Sequence, residues 1–474
     1  MTQRLKSERG RVQAGPLRAR VVLAYQPRLM LRHRLAAALG RPDPLLAIWL
    51  IVLAFFLLGL IRLGIPSRPM FDEIHYLPAA RRLIDLTRRL NPEHPLLGKE
   101  FIALGMKLVG DTPFGWRLPN LVAGTLGLFG ATRAVWWASR SRVTTLLFGV
   151  FLATNFQWFI LSRIAMLDMA MLSMMALAFW QWSLAWARCR RWHLLLAGVF
   201  MGLSLGGKWN VIPLMVTPGL LFAWDRARAV GLVHHTPGRK VTGATLAEWL
   251  FGTRYAPVRG VSLIEAVVWL GLVPVLTYFA TFAPAFFYQV QPMTLRGLIP
   301  WQTYMLHLQD SVVKPHRYMS RWWQWMFNLR PIWFLYAPVD GAQRGILMVG
   351  HPFTMLAGLP ALLLCAWEGW RGDGARPRLK QGVALLYVLS LVFWAINGKP
   401  VQFYYHYALA AVFVMAALAL VLGEWWEQGL RWPLRASLAL TLAIFVGFYP
   451  IISAAPLPTM KAAYRTWMWL HSWQ

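Results

Sequence analysis

The apolar run LLAIWLIVLAFFLLGLIRL occupies residues 45–63, and the polar run PSRPMFDEIHY follows it at residues 66–76. A helix needs about 20 mostly apolar residues to cross a bilayer, so the first run predicts a membrane span. The second run places two adjacent carboxylates, Asp72 and Glu73, just beyond the end of that span. This stretch therefore indicates a membrane protein with ionisable groups at one membrane surface.

Further apolar runs follow along the whole chain, and they begin near Leu118, Thr144, Ala165, His193, Trp209, Leu263, Ile346, Gln381, Tyr404 and Ala436. With the first run they predict an all-α integral membrane protein of about eleven transmembrane helices. The composition agrees, because 58% of the residues are hydrophobic and only 14% are charged. An average soluble domain carries about 25% charged residues, so an ordinary soluble enzyme is disfavoured and a disordered chain is excluded.

The net charge of +30 comes from 48 Lys and Arg against 18 Asp and Glu. In a soluble protein such an excess would suggest nucleic acid. Here the basic residues concentrate in alternate loops, at residues 1–45, 140–142, 188–191, 226–259, 371–380 and 431–435. Cytoplasmic loops of membrane proteins carry this excess, so the N-terminus is predicted inside and the C-terminus outside. The charge then reflects topology and contact with anionic membrane lipids, with no nucleic-acid partner.

This topology divides the chain into four predicted parts. Residues 1–45 form a basic cytoplasmic arm, and the absence of an early apolar segment predicts that this arm is not a cleaved signal. Residues 46–286 form an N-terminal transmembrane catalytic module with an outer loop at 66–117. Residues 287–345 form an aromatic-rich outer loop, and residues 346–474 form a C-terminal transmembrane module. Both outer loops are predicted to hold amphipathic helices on the outer surface.

Ionisable residues next to a bilayer are candidate functional groups, and here they cluster on the predicted outer side. Asp72 and Glu73 are the first candidates, although an acidic pair is also typical of a capped helix N-terminus. Glu93, His94 and Lys99 follow in one Pro- and Gly-containing segment, which could equally be an ordinary helix start. A lysine there could offset a phosphate charge.

Two further candidate groups lie at predicted outer turns. Arg163 and Asp168 stand at the mouth of one span, where a local ion pair is the alternative. Lys208 and Lys399 are preceded by glycines, and either could bind an anionic headgroup or extend its side chain to the interface. The sequence contains no Walker-type phosphate loop, dinucleotide-binding glycine motif, Cys/His zinc spacing or nucleophile elbow. Nucleotide-driven transport and serine hydrolysis therefore lose their main support.

Taken in order, these motifs resemble the protein O-mannosyltransferase family, within the GT-C class of membrane glycosyltransferases. The resemblance rests on Asp72-Glu73 after the first span, Glu93-His94-Pro95-Leu96-Leu97-Gly98-Lys99, Gly115-Trp116-Arg117-Leu118-Pro119, Arg163 to Asp168, Ser320-Arg321-Trp322-Trp323-Gln324-Trp325 and Phe403 to Tyr407. The chain departs from the family pattern at Leu96, Met326 and Ala408, where prolines are usual. Neither outer loop can hold the lectin-like repeat domain of eukaryotic members, so a bacterial relative is indicated.

The resemblance implies GT-C architecture and an inverting transfer of a sugar, foremost mannose, from a polyprenyl-phosphate carrier. The acceptors would be Ser and Thr hydroxyls of exported proteins. The reaction would take place at the outer face of the bacterial inner membrane, in proximity to the protein translocon.

The implied site follows the same motifs. Asp72 would be the general base, with Glu73 as the second catalytic carboxylate. The donor phosphate would be bound by Arg163 first, then by Lys99, Lys208 and Lys399. Acceptor binding or orientation would involve Glu93, His94, Asp168, Trp322, Trp323, Tyr405 and His406. No cofactor is required by the motifs, but Glu93 and His94 leave open a divalent cation, Mg²⁺ or Mn²⁺.

Two other functions stay open at this point. One is a GT-C transferase whose acceptor is a lipid or glycan, such as a lipid A-type molecule. The other is a lipid-sugar flippase, which predicts ionisable residues at the middle of the membrane.

Overall fold

The computed structural model describes residues 42–233, 242–311, 313–458 and 463–474. The predicted basic arm at 1–45 therefore falls almost wholly outside the described residues. The first half of the fold consists of α1 (Leu45–Leu60), α2 (Glu73–Ile84), α3 (Leu97–Val109), α4 (Pro113–Ser139), α5 (Arg142–Ala153), α6 (Phe156–Leu161), α7 (Asp168–Arg188), α8 (Trp192–Gly207), α9 (Ile212–Met215), α10 (Thr217–Val230) and α11 (Gly243–Phe251).

The second half begins with α12 (Leu263–Val267), which continues through a π-helical turn (Val268–Leu272) into α13 (Val273–Ala280). The remaining elements are α14 (Leu298–Asp310), α15 (Trp322–Met326), β1 (Ile332–Val339), β2 (Ala342–Met348), α16 (Pro352–Arg371), α17 (Pro377–Ile396), α18 (Ala408–Glu427) and α19 (Trp432–Ile452). Short 3₁₀ turns lie at Trp209–Val211, Ala283–Phe287, Leu295–Gly297, Tyr404–Tyr407, Ala463–Trp467 and His471–Trp473.

Helices lie at all the predicted spans, and many carry apolar side chains on their outer surfaces. Leu46 on α1, Leu363 on α16 and Val446 on α19 are each at least 70% exposed, as lipid-facing residues are. Among the described residues, five helical segments are long and apolar enough to cross a membrane: Leu263–Phe287, Pro352–Arg371, Pro377–Ile396, Tyr404–Glu427 and Trp432–Ile452. A multi-pass helical membrane protein is confirmed, while the count of eleven spans and the four-part division stay predictions.

The helical membrane fold is confirmed, and the second outer loop adds an antiparallel hairpin that was not predicted. Strands β1 and β2 pair from Ile332↔Met348 to Val339↔Ala342. Asp340 and Gly341 form the turn, with φ of 50° and 73°. Two consecutive residues at positive φ match the right-handed twist of the strands. Asp-Gly between two apolar runs is a hairpin signal, so the sequence did contain this element.

The hairpin fastens the outer ends of the first and last membrane helices. The Ser67 amide, just after α1, donates to Asp340 Oδ2 at 2.8 Å. Arg344 on β2 donates from Nη1 to the carbonyl of Ala454 at 2.8 Å, just after α19. Arg62 also donates from Nη2 to Ser453 Oγ at 3.0 Å. The outer loop therefore joins segments from both ends of the described chain.

Loops that the charge pattern placed on the cytoplasmic side meet at the opposite end. Arg376 Nε donates to the Ser139 carbonyl at 2.6 Å, and Ser141 Oγ donates to Glu427 at 2.7 Å. The amide of Ala375 donates to Glu424 at 2.9 Å. Two loops that are distant in sequence and the last turn of α18 thus share one end of the helix bundle, as the predicted topology requires.

Close packing of α4 against α7 positions the start of α7 near the outer surface. Small residues allow membrane helices to approach closely. A Cβ on Gly127 would come within 2.8 Å of Ser173 Cα, and one on Gly130 within 2.9 Å of Leu177. Asn120 on α4 donates to the carbonyls of Ile164 and Met166 at 2.6 and 2.7 Å. These contacts fix the turn that precedes Asp168.

Candidate active site

Asp72 lies at the N-terminal end of α2 and is partly buried. Its carboxylate is hydrogen-bonded to the hydroxyl of Tyr76, one turn further along the helix. Burial raises the pKa of Asp72 to about 6, although the nearby charge of Lys208 acts in the opposite direction. A general base works best when its pKa is near the operating pH. Asp72 is thus a carboxylate suited to accept a proton.

Glu73 has a different environment, and its contacts favour a structural part in place of the predicted catalytic one. Its side chain is fully buried, and both oxygens accept from Arg117, from Nε and Nη2, at 2.8 Å. The carboxylate also accepts from the amides of Met70 and Ala165 at 3.0 and 2.9 Å. Each Glu73 oxygen therefore accepts two hydrogen bonds. Through them Glu73 connects the first outer loop to α4 and to the turn before α7.

Lys208 and Asp168 form a buried ion pair beside Asp72. Lys208 Nζ lies 2.9 and 3.0 Å from the two Asp168 oxygens. The same ammonium lies 4.9 Å from the ring centroid of Tyr405. An ammonium has three N–H donors, so this pairing leaves Lys208 able to donate to a further acceptor. Asp168 is the residue that holds Lys208 in place.

Lys399 is the second cation of this group. It lies in the loop between α17 and α18, and its backbone amide is fixed by the Asn397 side chain at 3.1 Å. Among the described residues its ammonium has no hydrogen bond or ion pair. Burial and the charge of Lys208 lower its pKa to about 8, against the attraction of Asp168 and Asp72. Lys399 is therefore a half-buried cation without a carboxylate of its own.

The structure does not bring Arg163 into this group, so its role as the first phosphate ligand stays a prediction that these contacts do not support. Its guanidinium donates to the carbonyls of Gly59 and Ile61 at 3.1 and 2.6 Å, and to that of Ser453 at 3.4 Å. The final carbonyls of a helix lack partners within the helix. Arg163 supplies those partners at the end of α1, which sequence spacing could not reveal.

Lys99 is also used inside the protein and does not face the cluster. Its ammonium is buried and donates to the backbone carbonyl of His94 at 3.0 Å and to that of Asn91. Burial lowers its pKa to about 7, partly offset by the charge of Glu93. Lys99 therefore holds the Asn91–His94 segment, and its contact with the donor phosphate stays a prediction.

Glu93 and His94 project from that segment towards Tyr76. The His94 ring lies 6.2 Å from the Tyr76 ring, and the charge of Glu93 acts on the Tyr76 hydroxyl. Burial and the charges of Lys208, Lys399 and Lys99 hold the pKa of His94 well below its usual range, so its imidazole is neutral.

An aromatic group closes the opposite side of the cluster. Tyr405 is buried between Phe71 and Phe403, with ring centroids 6.0 and 5.5 Å away. His406 stacks on Trp394 at 3.9 Å and accepts at Nδ1 from the Phe403 amide. Trp322 is partly buried and Trp323 is 43% exposed, on the short helix α15 that packs against the Tyr404–Tyr407 turn.

Three residues important to this geometry were absent from the predicted site. Tyr76 bonds Asp72, and its position one helical turn later was the available signal. Arg117 pairs with Glu73, and it lies within the motif Gly115-Trp116-Arg117-Leu118-Pro119. Trp325 is fully buried, donates to Ser320 Oγ at 2.8 Å and contacts His406. A buried tryptophan cannot be distinguished from its exposed neighbours by residue type.

Metal binding finds little support in the described parts of the chain. No group of three or more His, Cys, Asp or Glu side chains is close enough there to hold an ion. Glu93 and His94 would supply only two ligands to a metal ion, and the divalent cation stays a prediction.

Comparison with known proteins then decides the family. Residues 93–238 match the family model described as dolichyl-phosphate-mannose-protein mannosyltransferase. Residues 294–473 match the C-terminal four-transmembrane region of protein-O-mannosyltransferase. The chain belongs to the protein O-mannosyltransferase family. The two matched segments together contain Asp168, Lys208, Lys399, Tyr405 and His406.

Relatives and solved structures agree with this assignment. The polyprenol-phosphate-mannose–protein mannosyltransferase of Mycolicibacterium smegmatis is 26% identical, over 87% of this chain and 90% of the relative. That of Corynebacterium glutamicum is 26% identical, over 90% of this chain and 93% of the relative. Both relatives are therefore matched along most of their length.

The fold is shared with two solved membrane proteins. The Saccharomyces cerevisiae Pmt1–Pmt2 complex bound to the sugar donor superposes with a TM-score of 0.74, at 13% identity, over 93% of this chain and 94% of the other. ArnT from Cupriavidus metallidurans bound to undecaprenyl phosphate gives 0.52, at 15% identity, over 85% and 76%. At these identities the likeness shows the GT-C fold alone.

Proposed function

We propose that this protein O-mannosyltransferase family member moves mannose from a polyprenyl-phosphate carrier to Ser and Thr hydroxyls of exported proteins. The observation that carries the proposal is a partly buried carboxylate, Asp72, placed beside two buried or half-buried cations, Lys208 and Lys399. This arrangement pairs a proton acceptor with groups that stabilise a leaving phosphate. The named activity of the relatives supplies the donor and acceptor classes.

In the proposed reaction, Asp72 accepts the proton of the acceptor hydroxyl. The hydroxyl oxygen forms a bond to the anomeric carbon of the sugar as the bond to the phosphate oxygen breaks. The phosphate leaves with the bonding electrons, and a single displacement inverts the anomeric centre. One carboxylate is sufficient, because the phosphate leaves as an anion without needing a proton. This agrees with a structural part for Glu73.

Lys399 and Lys208 would contact the phosphate as it gains charge. Donors already aimed at a developing charge, in a site that excludes water, make a large contribution to catalysis. Among the described residues, the Lys399 ammonium makes no hydrogen bond. Asp168 holds two of the three N–H donors of Lys208, so one remains free. With Asp72 and Asp168 ionised, the four charges cancel before the donor binds. A phosphate would then be held by hydrogen bonds and by displacement of the Asp168 contact.

The proposed setting is the outer face of the bacterial inner membrane, near the translocon that delivers unfolded acceptors. The basic loops fit a cytoplasmic location for the opposite end of the bundle. Trp322 and Trp323 on the second outer loop would stack against an extended acceptor peptide. The carrier's prenyl chain would remain among the lipid-facing helices.

A direct assay tests this proposal. The purified protein in lipid nanodiscs is given polyprenyl-phosphate-mannose and a peptide with one serine, and the peptide is weighed by mass spectrometry. We expect a gain of one hexose, with the anomeric configuration opposite to that of the donor. The same peptide with alanine in place of serine is the matched control. Transfer to a lipid A-type acceptor but not to the serine peptide would overturn the proposed acceptor.

A further inference from the structure

Two buried polar atoms beside Tyr76 lack partners within the described structure. These atoms are Glu93 Oε2 and His94 Nδ1. A buried polar atom without a hydrogen bond costs more free energy than a satisfied one gains. Neighbouring residues in sequence that both show this feature are expected to face a ligand that completes their hydrogen bonds.

The backbone of this segment is held firmly, so the free side-chain atoms are not a consequence of a loose loop. Lys99 Nζ donates to the carbonyls of Asn91 and His94. From the second outer loop, Gln309 Nε2 donates to the Glu93 carbonyl at 2.8 Å. The main chain is thus satisfied from two directions, while the side chains of Glu93 and His94 keep unused acceptor or donor capacity.

Their position places these atoms next to the reacting groups. Tyr76 contacts the His94 ring on one side and bonds Asp72 through its hydroxyl. The charges of Lys208 and Lys399 act on His94, so the cations proposed to hold the phosphate lie near its ring. A group attached to that phosphate and attacked beside Asp72 would therefore pass along Glu93 and His94.

The chemistry of the two side chains selects the kind of group. An ionised carboxylate only accepts hydrogen bonds, and a neutral imidazole can accept at one nitrogen and donate at the other. A phosphate would be repelled by Glu93. Sugar hydroxyls are neutral and carry both a donor and acceptor lone pairs, so they match both residues.

We infer that Glu93 and His94 form the subsite that binds hydroxyls of the transferred sugar. The inference rests on the proposed function, because the sugar must arrive on a carrier phosphate held by Lys208 and Lys399. It assigns Glu93 and His94 to donor specificity, in place of contact with the acceptor or with a metal.

The test combines Glu93→Gln with donors that lack one hydroxyl each. Polyprenyl-phosphate carriers of mannose and of 2-, 3-, 4- and 6-deoxymannose are compared by kcat/KM. In the wild type we expect the donor without the contacted hydroxyl to lose roughly 10- to 100-fold, as for a hydrogen bond to a charged group. In Glu93→Gln that loss should shrink towards none, because the contact is already weakened. For each donor, kcat/KM of the wild type is divided by kcat/KM of Glu93→Gln. Differences in the intrinsic reactivity of the donors cancel in this ratio.

Matched variants separate sugar binding from a change in fold. Glu100→Gln makes the same chemical change on α3, away from the cluster, and should keep the wild-type discrimination. His94→Phe keeps the ring contact with Tyr76 and removes the polar atoms, so it should also reduce discrimination at one hydroxyl. Heat protection by polyprenyl phosphate, which carries no sugar, should be unchanged in Glu93→Gln.

The outcomes distinguish this inference from the proposed function. If the wild type transfers mannose but Glu93→Gln loses the same factor with every donor, the sugar subsite is wrong while the function stands. An effect that depends on the acceptor peptide and not on the donor would likewise overturn the subsite. If the wild type transfers no sugar from any polyprenyl phosphate donor, the proposed function itself fails.

Discussion

Buried charges lie at both ends of the helix bundle, but they are arranged in opposite ways. At the predicted inner end, Lys380 is buried and bonded to two carboxylates, Glu368 and Glu424. At the predicted outer end, Lys399 has no carboxylate of its own among the described residues, and Asp72 is bonded to the hydroxyl of Tyr76. A buried ion costs free energy unless it is paired. The inner group is therefore saturated, whereas the outer group is left incomplete in the way expected of a site that binds a charged ligand.

The largest effect that would sharpen this contrast is loss of the proton acceptor. Asp72→Asn keeps the size of the side chain but cannot accept the proton of the acceptor hydroxyl. Since general base catalysis contributes about 10²- to 10⁴-fold, we expect kcat to fall by that factor, with little change in thermal stability. The mass-based transfer assay, with saturating donor, measures it.

Asp85→Asn is the matched control, because Asp85 caps the other end of α2 and is exposed. It should retain wild-type turnover. If Asp72→Asn also turned over at the wild-type rate, Asp72 would not be the base.

Breaking the saturated inner group should affect stability and spare catalysis. Lys380→Met leaves Glu368 and Glu424 without their shared cation. Removing one partner of a buried ion pair costs about 3–5 kcal/mol, so we expect a clear fall in the midpoint of thermal unfolding. Transfer per folded molecule, measured well below that midpoint, should be unchanged. A loss of turnover without a loss of stability would show that the two ends do not differ as described.

Removing Lys399 should have the opposite effect to Lys380→Met, because catalysis should fall while stability is kept. Lys399→Ala leaves no buried carboxylate without its partner, so we expect little loss of stability. Loss of one preorganised donor to a developing charge costs about 10²- to 10³-fold in kcat. Turnover at saturating donor and the unfolding midpoint are measured on the same preparation. A large drop in stability with normal turnover would place Lys399 with the structural charges.

The smallest expected effect is a pH profile set by the same groups. The base must be ionised, so kcat/KM should rise as pH increases through about 6, the raised pKa of Asp72. Lys399 must be protonated to bind the phosphate, so kcat/KM should fall as pH increases through about 8, the lowered pKa of Lys399. Arginine stays charged in proteins, so Lys399→Arg should remove the alkaline fall. An unchanged alkaline fall in that variant would exclude Lys399 as its cause.

Sequence reasoning reached the membrane fold for a clear physical reason, and it selected four candidate site residues that the structure places near one another. Apolar runs and basic loops report topology directly, and the outer loops then place Asp72, Asp168, Lys208 and Lys399 on one side. The structure brings these four together. Local signals were thus enough wherever the membrane itself dictated the arrangement.

Individual partners could not be predicted in the same way. Glu73 and Asp72 are adjacent in sequence, but only Glu73 faces Arg117, which lies two helices later. Arg163 meets carbonyls about a hundred residues earlier, and Lys99 turns inward to its own loop. These choices depend on which helix faces pack together. The hairpin is a different case, because its Asp340-Gly341 turn is a recognisable signal in the sequence. The aromatic content of the loop nevertheless favoured a prediction of amphipathic helices.

The fastening of the first and last membrane helices also bears on how the protein is made. Asp72 emerges early in synthesis, whereas Lys399 emerges late and the Ala454 carbonyl that holds Arg344 is near the end of the chain. A nascent chain therefore carries the acid of the site long before its cations and its clasp. If Lys399 holds the carrier phosphate, a chain that stops before it has the base but lacks that cation, so an unfinished copy should not consume the carrier-linked sugar.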